Sequence, residues 1–293
     1  MNNSDRVHAI TLQREILRLT EQREPVNKEE LYLAQNDLAL MLSGQPAERE
    51  ALYRTALEGR ISAYGEESVE VGETMHNLGE HLQNFGRITE AEPLIRKALA
   101  VHSQICGPLH WRSLMAGHSL GMLFYMRGEY EDAITQLGLV LESKERTLGP
   151  KHFDTISTVN SLGLALLEVR RFHEAEPLFR RSMETRKEIL GLSSWDTANG
   201  VAGYAMVLMH LQRDDEAKMH ASEALDIWRR VSCTEDDPRS GKAYWVLGTA
   251  AIKQGDPING KRYLNDAIEM LRKGHAETHP WVVAIRTQLE QCV

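Results

Sequence analysis

With 293 residues and a formal net charge of −8, the chain is acidic, and no Lys/Arg run is dense enough to track phosphates. That argues against nucleic acid and against an anionic membrane surface as partners. Charged residues at 26% and hydrophobic residues at 42% describe a folded soluble chain rather than a disordered one.

Cys106, Cys233 and Cys292 are odd in number, far apart and without a CxxC, which points to a reducing compartment and not to a disulfide framework. The opening MNNSDRVHAI has no signal-peptide pattern, and no 18-residue apolar run exists to span a bilayer. A cytoplasmic location is expected.

In chain order, Ser4-Asp5 is expected to cap a first helix running to about Gln22, with Val7, Ile10, Ile16 and Leu17 as a loose apolar stripe. Pro25 ends it, and a second helix starts near Asn27, where Asn-Lys-Glu-Glu supplies a cap and first-turn acids. From there the chain repeats with a period of 42. Leu78, Leu120, Leu162 and Tyr204 fall in step, as do Ala91, Ala133, Ala175 and Ala217, Leu99, Leu141, Met183 and Leu225, and Gly65, Gly107, Gly149 and Gly191. Several columns holding one period mean a repeat array.

Each unit reads as helix A, a short turn, helix B and a linker. In the second unit helix A is expected over about Ser68–Asn84, with a turn at Gly86 and helix B over about Thr89–Ser103. Pro93 and Pro177 occur in the same phrase, Glu-Ala-Glu-Pro-Leu, and are expected in the first turn of helix B, where a missing N–H costs nothing. The alanine column marks close approach of helix B to helix A, and the glycine column follows helix B as a C-terminal cap. Leu38 to Leu78 is two residues short of the period, so a shorter A–B turn is expected in the first unit. The fifth linker, Val231–Pro238, carries one extra residue. The expected layout is one domain: a capping helix over 1–26, the array over 27–272 and a last capping helix over 273–293, with Val282, Ile285 and Leu289 on one side.

Phrases such as Asn77-Leu78-Gly79, Gly86-Arg87-Ile88-Thr89-Glu90-Ala91-Glu92-Pro93-Leu94, Lys97-Ala98-Leu99 and Leu148-Gly149-Pro150-Lys151-His152 resemble tetratricopeptide repeats. The resemblance is to the 42-residue variety of kinesin light chain and covers about residues 27–272. No heptad coiled coil precedes Asn27, so the chain is not read as a full kinesin light chain. The resemblance implies an all-α fold: a right-handed α-solenoid of about six helix-turn-helix repeats with capping helices.

It also implies that helix A lines a concave groove where protein or peptide partners bind. Counting from the Leu of each Leu-Gly, positions −5, −2, +2 and +5 form one helical stripe. That stripe holds Leu33, Asn36 and Leu40 in the first unit, Glu73, His76, Glu80 and Gln83 in the second, and Met115, His118, Met122 and Tyr125 in the third. It continues as Ser157, Asn160, Leu164 and Leu167, then Asn199, Ala202, Met206 and Met209, then Lys242, Trp245, Thr249 and Ile252. Eight of the twelve central positions are apolar and four of them are methionine, which suits an irregular apolar partner. An acidic peptide tail would call for a Lys/Arg/Asn cluster, and only Lys242 qualifies.

The leading expectation is therefore a non-catalytic interaction scaffold that takes an apolar or amphipathic peptide. An apolar small molecule is the alternative, bound by a sensor or by a cofactor-free cyclase or isomerase using His76, Glu80, His118 and Asn160. Helices such as Leu120–Met126 and Tyr204–Met209 are apolar nearly all round, so the stripe also reads as one the protein fills with its own residues. Self-association through the groove or an end is a third possibility.

Trp111, Phe153 and Trp195 form a ladder at spacing 42, preceded in two cases by His110 and His152, and are expected to pack at the entrance of helix A. His275 and His279 flank Glu277 within a turn. Without HExxH, CxxC, GxxxxGK[ST], GxGxxG or Gly-x-Ser-x-Gly, no metal and no cofactor are expected.

Overall fold

In a computed structural model of the chain, residues 3–42, 44–231, 237–273 and 280–291 are described. Among them every regular element is helical. The α-helices are α1 (Asn3–Gln22), α2 (Lys28–Met41), α3 (Pro46–Tyr64), α4 (Val69–Asn84), α5 (Ile88–Ile105), α6 (Trp111–Arg127) and α7 (Tyr130–Thr147). They continue as α8 (Phe153–Glu168), α9 (Phe172–Leu190), α10 (Trp195–His210), α11 (Asp214–Val231), α12 (Gly241–Lys253), α13 (Pro257–Arg272) and α14 (Pro280–Glu290). None is long and apolar enough to cross a membrane. The chain falls into two compact units, Met1–Ser143 and Lys144–Val293.

In the first unit α2/α3 and α4/α5 pack as successive pairs, and α7 leans on α6 through Leu137 and Val140. In the second unit the pairs are α8/α9, α10/α11 and α12/α13. Close approach within a pair comes from the glycine after the reference leucine. A Cβ on Gly79 would stand 2.6 Å from Ile95 Cγ1, and one on Gly248 would stand 2.6 Å from Leu264 Cδ2. Only a missing side chain lets those branched residues seat against helix A. Tyr53, Leu78, Leu82, Ile95, Leu120 and Leu123 form a buried core in the first unit, and Phe179 fills the space between Gly163 and Gly203 in the second.

Helix starts obey one rule along the array. Ser68, His110, His152 and Ser194 each accept a backbone N–H through their side chain at the start of α4, α6, α8 and α10. Asp237 does the same ahead of α12, for the N–H of Arg239. A side-chain acceptor at that place satisfies an N–H that the helix leaves unpaired. The glycine column takes positive φ, from 69° at Gly191 to 96° at Gly107, as a chain leaving helix B requires.

Three expectations are corrected. Pro93 and Pro177 sit at the sixth position of α5 and α9, not in the first turn, because those helices begin at Ile88 and Phe172. Each therefore removes a real bond, to the carbonyl four residues back. Those carbonyls belong to Thr89 and His173, exposed residues where water can replace the donor. The two-residue deletion of the first unit lies in helix A and not in the turn, since α2 ends three residues after Leu38 while α4 ends six after Leu78. Third, α1 begins at Asn3, before the Ser4-Asp5 expected to cap it. Cys233, Cys292, most of the fifth linker, His275, Glu277 and His279 lie outside the described residues.

Candidate functional site

The first unit holds the stripe positions of α2, α4 and α6. Leu33 and Leu40 of α2 remain 52% and 48% exposed. Asn36 between them is buried, and its amide oxygen accepts from Asn77 Nδ2 at 3.1 Å. On α4, His76 is 5% exposed and its Nε2 lies 3.0 Å from Ser119 Oγ of α6. Ser119 donates to Glu80 Oε1 at 2.8 Å, and His76 Nε2 is 3.5 Å from that same oxygen. The His76–Glu80 pair expected from helical spacing is thus a three-residue network that ties α4 to α6. His76 and Ser119 are buried in it, while the Glu80 side chain is 43% exposed. Met115, His118, Met122 and Tyr125 of α6 stay half-buried.

The second unit carries the stripe of α8, α10 and α12. Asn160, Leu164 and Asn199 are half-buried, while Leu167, Ala202, Met206, Met209 and Trp245 are buried. The protein itself covers much of this face. Trp245 Nε1 and Thr249 Oγ1 both donate to Gln288 Oε1 of α14, at 3.3 and 3.1 Å. Trp281 of α14 donates to Glu168 Oε1 at 2.9 Å, and Lys242 Nζ stands 5.0 Å from the Trp281 ring centre. Burial pushes the Lys242 ammonium down to about 8, the like charge of Arg186 adds to the fall, and Glu168 opposes it. His210 stacks on Phe172 at 4.7 Å and meets the Trp245 ring edge-on at 6.0 Å; burial lowers its pKa.

One feature of this geometry escaped the sequence reading although its signal is periodic. Five residues before each glycine of the column stands a buried basic side chain on helix B: Arg60, His102, Lys144 and Arg186. Arg60 Nη1 donates to the Glu70 carbonyl at 2.9 Å and to Thr74 Oγ1 at 2.7 Å. Lys144 Nζ does the same to the Asp154 carbonyl and Thr158 Oγ1, at 3.3 and 3.1 Å, and Arg186 Nη1 to the Asp196 carbonyl at 3.1 Å. Arg60, Lys144 and Arg186 thus each latch helix B to the start of the next helix A, while His102 holds the same place without such a bond.

The aromatic ladder does not pack as expected. Trp111, Phe153 and Trp195 are exposed, and Arg112 and Arg239 lie over the two indoles at 4.3 and 4.6 Å. Two cavities of about 280 and 360 Å³ open on the second unit, one beside Lys218, Asn259 and Arg262 and the other beside Leu192, Met219 and Ile227. Neither is lined by a stripe residue.

A sequence profile described as Tetratricopeptide repeat matches residues 30–104, 70–146, 111–188 and 196–273. The chain is 31% identical over 84 residues to tetratricopeptide repeat protein 23 of Homo sapiens, a match covering 29% of this chain and 19% of that protein. It thus spans about a fifth of the human relative. Among solved structures it is similar to BtubC (BKLC) from P. vanneervenii, with a TM-score of 0.63 and 19% identity over 79% of this chain and 94% of that one. A Podosopora anserina putative kinesin light chain with nearly identical TPR-like repeats gives a TM-score of 0.56 and 18% identity, over 69% of this chain and 96% of that one. A Rap protein complexed with Competence and Sporulation Factor gives 0.66 and 13%, over 96% and 79%. At these identities the likeness is one of fold.

Proposed function

This chain belongs to the tetratricopeptide-repeat family, and from that premise we propose that it is a non-catalytic interaction scaffold whose helix-A stripe takes an apolar or amphipathic peptide segment. The observation that carries the reading is the make-up of the stripe in the first unit. Leu33 and Leu40 are about half exposed, Met115, His118, Met122 and Tyr125 are partly so, and no Lys or Arg lies among them. Such a face gains free energy by giving up water to an apolar partner, at about 25 cal/mol per Å² of apolar area buried. Unbranched methionines let it follow an irregular outline. The similar Rap protein is complexed with Competence and Sporulation Factor, which supports a protein or peptide as the kind of partner.

In the second unit the same reading assigns Asn160, Leu164 and Asn199 to the contact, with Leu167, Met206, Met209 and Trp245 as the floor beneath them. Residues 27–272 are the working array, and the segments 1–26 and 273–293 flank it. The test is affinity capture from the native host with wild type and with Met122→Glu and Leu164→Glu, proteins and small molecules both identified by mass spectrometry. Circular dichroism first establishes that the variants fold. Expected is a protein retained by wild type and lost by a variant. Equal retention by all three chains removes the stripe from the contact, and an apolar small molecule retained in place of a protein replaces the scaffold with a sensor or enzyme.

A further inference from the structure

The cavity of about 280 Å³ in the second unit lies among α11, α12 and α13 and is lined by none of the stripe residues. Its floor is apolar, with Leu247 7% and Ala251 9% exposed. Two exposed cations stand at it, Lys218 from α11 and Arg262 from α13. Among the described residues neither has a carboxylate at ion-pair distance. Lys218 donates to Gln254 Oε1 at 2.8 Å, and the Arg262 guanidinium stands 5.0 Å from the Tyr263 ring centre. Both of these partners are neutral.

The cations around them are matched differently. Arg229 pairs with Asp226 at 2.8 Å, Lys253 with Asp214 at 2.7 Å and Lys187 with Glu223 at 2.7 Å. In a chain with 42 acidic side chains to 34 basic ones, two cations without a carboxylate at one cavity are a placement to explain. The cavity's own acid does not fill the role. Asp256 caps α13, and Asn259 takes both of its oxygens, Oδ1 through the backbone N–H at 3.1 Å and Oδ2 through Nδ2 at 2.6 Å. Those bonds hold its carboxyl below the usual carboxylate range, and the Arg262 and Lys218 charges add to the fall from beyond ion-pair distance.

What remains is rich in donors: an ammonium with N–H bonds to spare, a guanidinium fork, and the hydroxyls of Ser222 and Tyr263. Donors over an apolar floor are complementary to an anion that carries carbon. Two cations against one carboxylate leave a single positive charge in excess. A carboxylate balances that charge, whereas a phosphate monoester brings close to twice as much. We propose that this cavity binds a small organic carboxylate, its oxygens held by Lys218 and Arg262 and its carbon part on Leu247 and Ala251.

Methyl NMR of the full chain, titrated with hexanoate at pH 7 and low ionic strength, is the test. Expected are saturable shifts at the Leu247 and Ala251 methyl groups, with a dissociation constant in the millimolar range. Lys218→Gln and Arg262→Gln replace exposed side chains and are expected to fold as wild type does, each weakening hexanoate about fivefold. Lys253→Gln, whose cation pairs with Asp214 outside the lining, is expected to bind as wild type does. Hexylamine is expected to give no saturable shift. Acetyl-Ala-Leu with a free C-terminus, titrated beside hexanoate, separates two sources of the same group. Tighter binding of the dipeptide makes the natural ligand a chain terminus, and tighter binding of hexanoate makes it a free metabolite; both keep the carboxylate site. No saturable shift at either methyl group up to about 50 mM hexanoate overturns the proposal. So does equal affinity in wild type, Lys218→Gln and Arg262→Gln, and so does a hexylamine titration that matches that of hexanoate.

Discussion

His76 Nε2 and Ser119 Oγ, 43 residues apart in sequence and 3.0 Å apart in space, join the second helix A to the third. Position −2 of one helix A meets position −1 of the next. Asn36 and Asn77 repeat that relationship, and so do Trp245 and Gln288. Residue −1 reaches +2 as well, since Ser119 bonds Glu80 and Gln288 bonds Thr249. By this register α14 stands where a further helix A belongs, with Leu289 at 42 from Leu247. The lateral ladder thus sets helix-to-helix spacing on the very face that carries the proposed contact.

Ser119→Ala tests the ladder. Ser119 gives its proton to Glu80 and so receives the Nε2 hydrogen of His76; removing the hydroxyl leaves a buried ring nitrogen without its acceptor. A buried polar group left unpaired costs about 1–3 kcal/mol. The urea midpoint of Ser119→Ala is expected to fall by that equivalent with the m-value unchanged. A midpoint equal to wild type would make the network decorative.

The latch residues predict a graded series at Arg60. Arg60→Ala cuts two hydrogen bonds and empties buried volume, so a loss of about 2–4 kcal/mol is expected in chemical denaturation. Arg60→Lys is expected to keep most of it, because Lys144 reaches the carbonyl ten residues on and the threonine fourteen residues on in the same way. Equal losses for Ala and Lys would mean that packing, and not the donated bonds, holds the latch.

His102 occupies the latch place in the second unit of the array, and burial holds it below its ordinary value of 6.5. Burial does the same to His81 and His210. The fold therefore favours the neutral rings. Stability is fully present above pH 6.5 and falls as the pH drops below it, because the unfolded chain takes up protons first. Each unit of depression is worth about 1.4 kcal/mol. Urea midpoints measured from pH 7 down to pH 5 should decline, and His102→Gln should flatten part of that decline. A wild-type profile that is flat or rising toward acid would contradict the burial.

Much of this architecture was legible in the chain. The columns at Leu78, Ala91, Leu99 and Gly65 located the helix pairs because close packing and helix ends constrain residue type once per repeat. The stripe on α4 and α6 was readable as a direction on a helix, but not as a state of exposure. Whether His76 faces a partner or a neighbouring helix depends on Ser119, which is outside the −5, −2, +2, +5 stripe. The cover over Trp245 and Thr249 comes from Gln288, beyond six whole units. Pro93 misled because the phrase Glu-Ala-Glu-Pro-Leu looks like a helix start, while the capping geometry begins a turn earlier at Arg87-Ile88. The Arg60–Arg186 column was present in the letters and was missed because buried basic side chains run against expectation.

Lys242 gives a prediction of opposite sign to the latches. It lies on the stripe position of α12, beside the Trp281 ring, and burial with the nearby Arg186 charge takes its pKa from 10.5 down to about 8. A depressed amine means that the fold disfavours the charged form. Between pH 8 and 10.5 the unfolded chain holds more protons than the folded one, so stability is expected to rise with pH across that window. Below pH 8 both states carry the proton, and the cost of the buried charge is fully present. Lys242→Met keeps the length of the chain and the contact with Trp281 while removing that charge, so it is expected to raise the thermal midpoint at pH 7 and to erase the rise above pH 8. A lower midpoint for Lys242→Met would show that the ammonium's interactions with Glu168 and the indole outweigh its desolvation, and Lys242 would then be a stabilising clasp on α14 instead of a cost carried by the site.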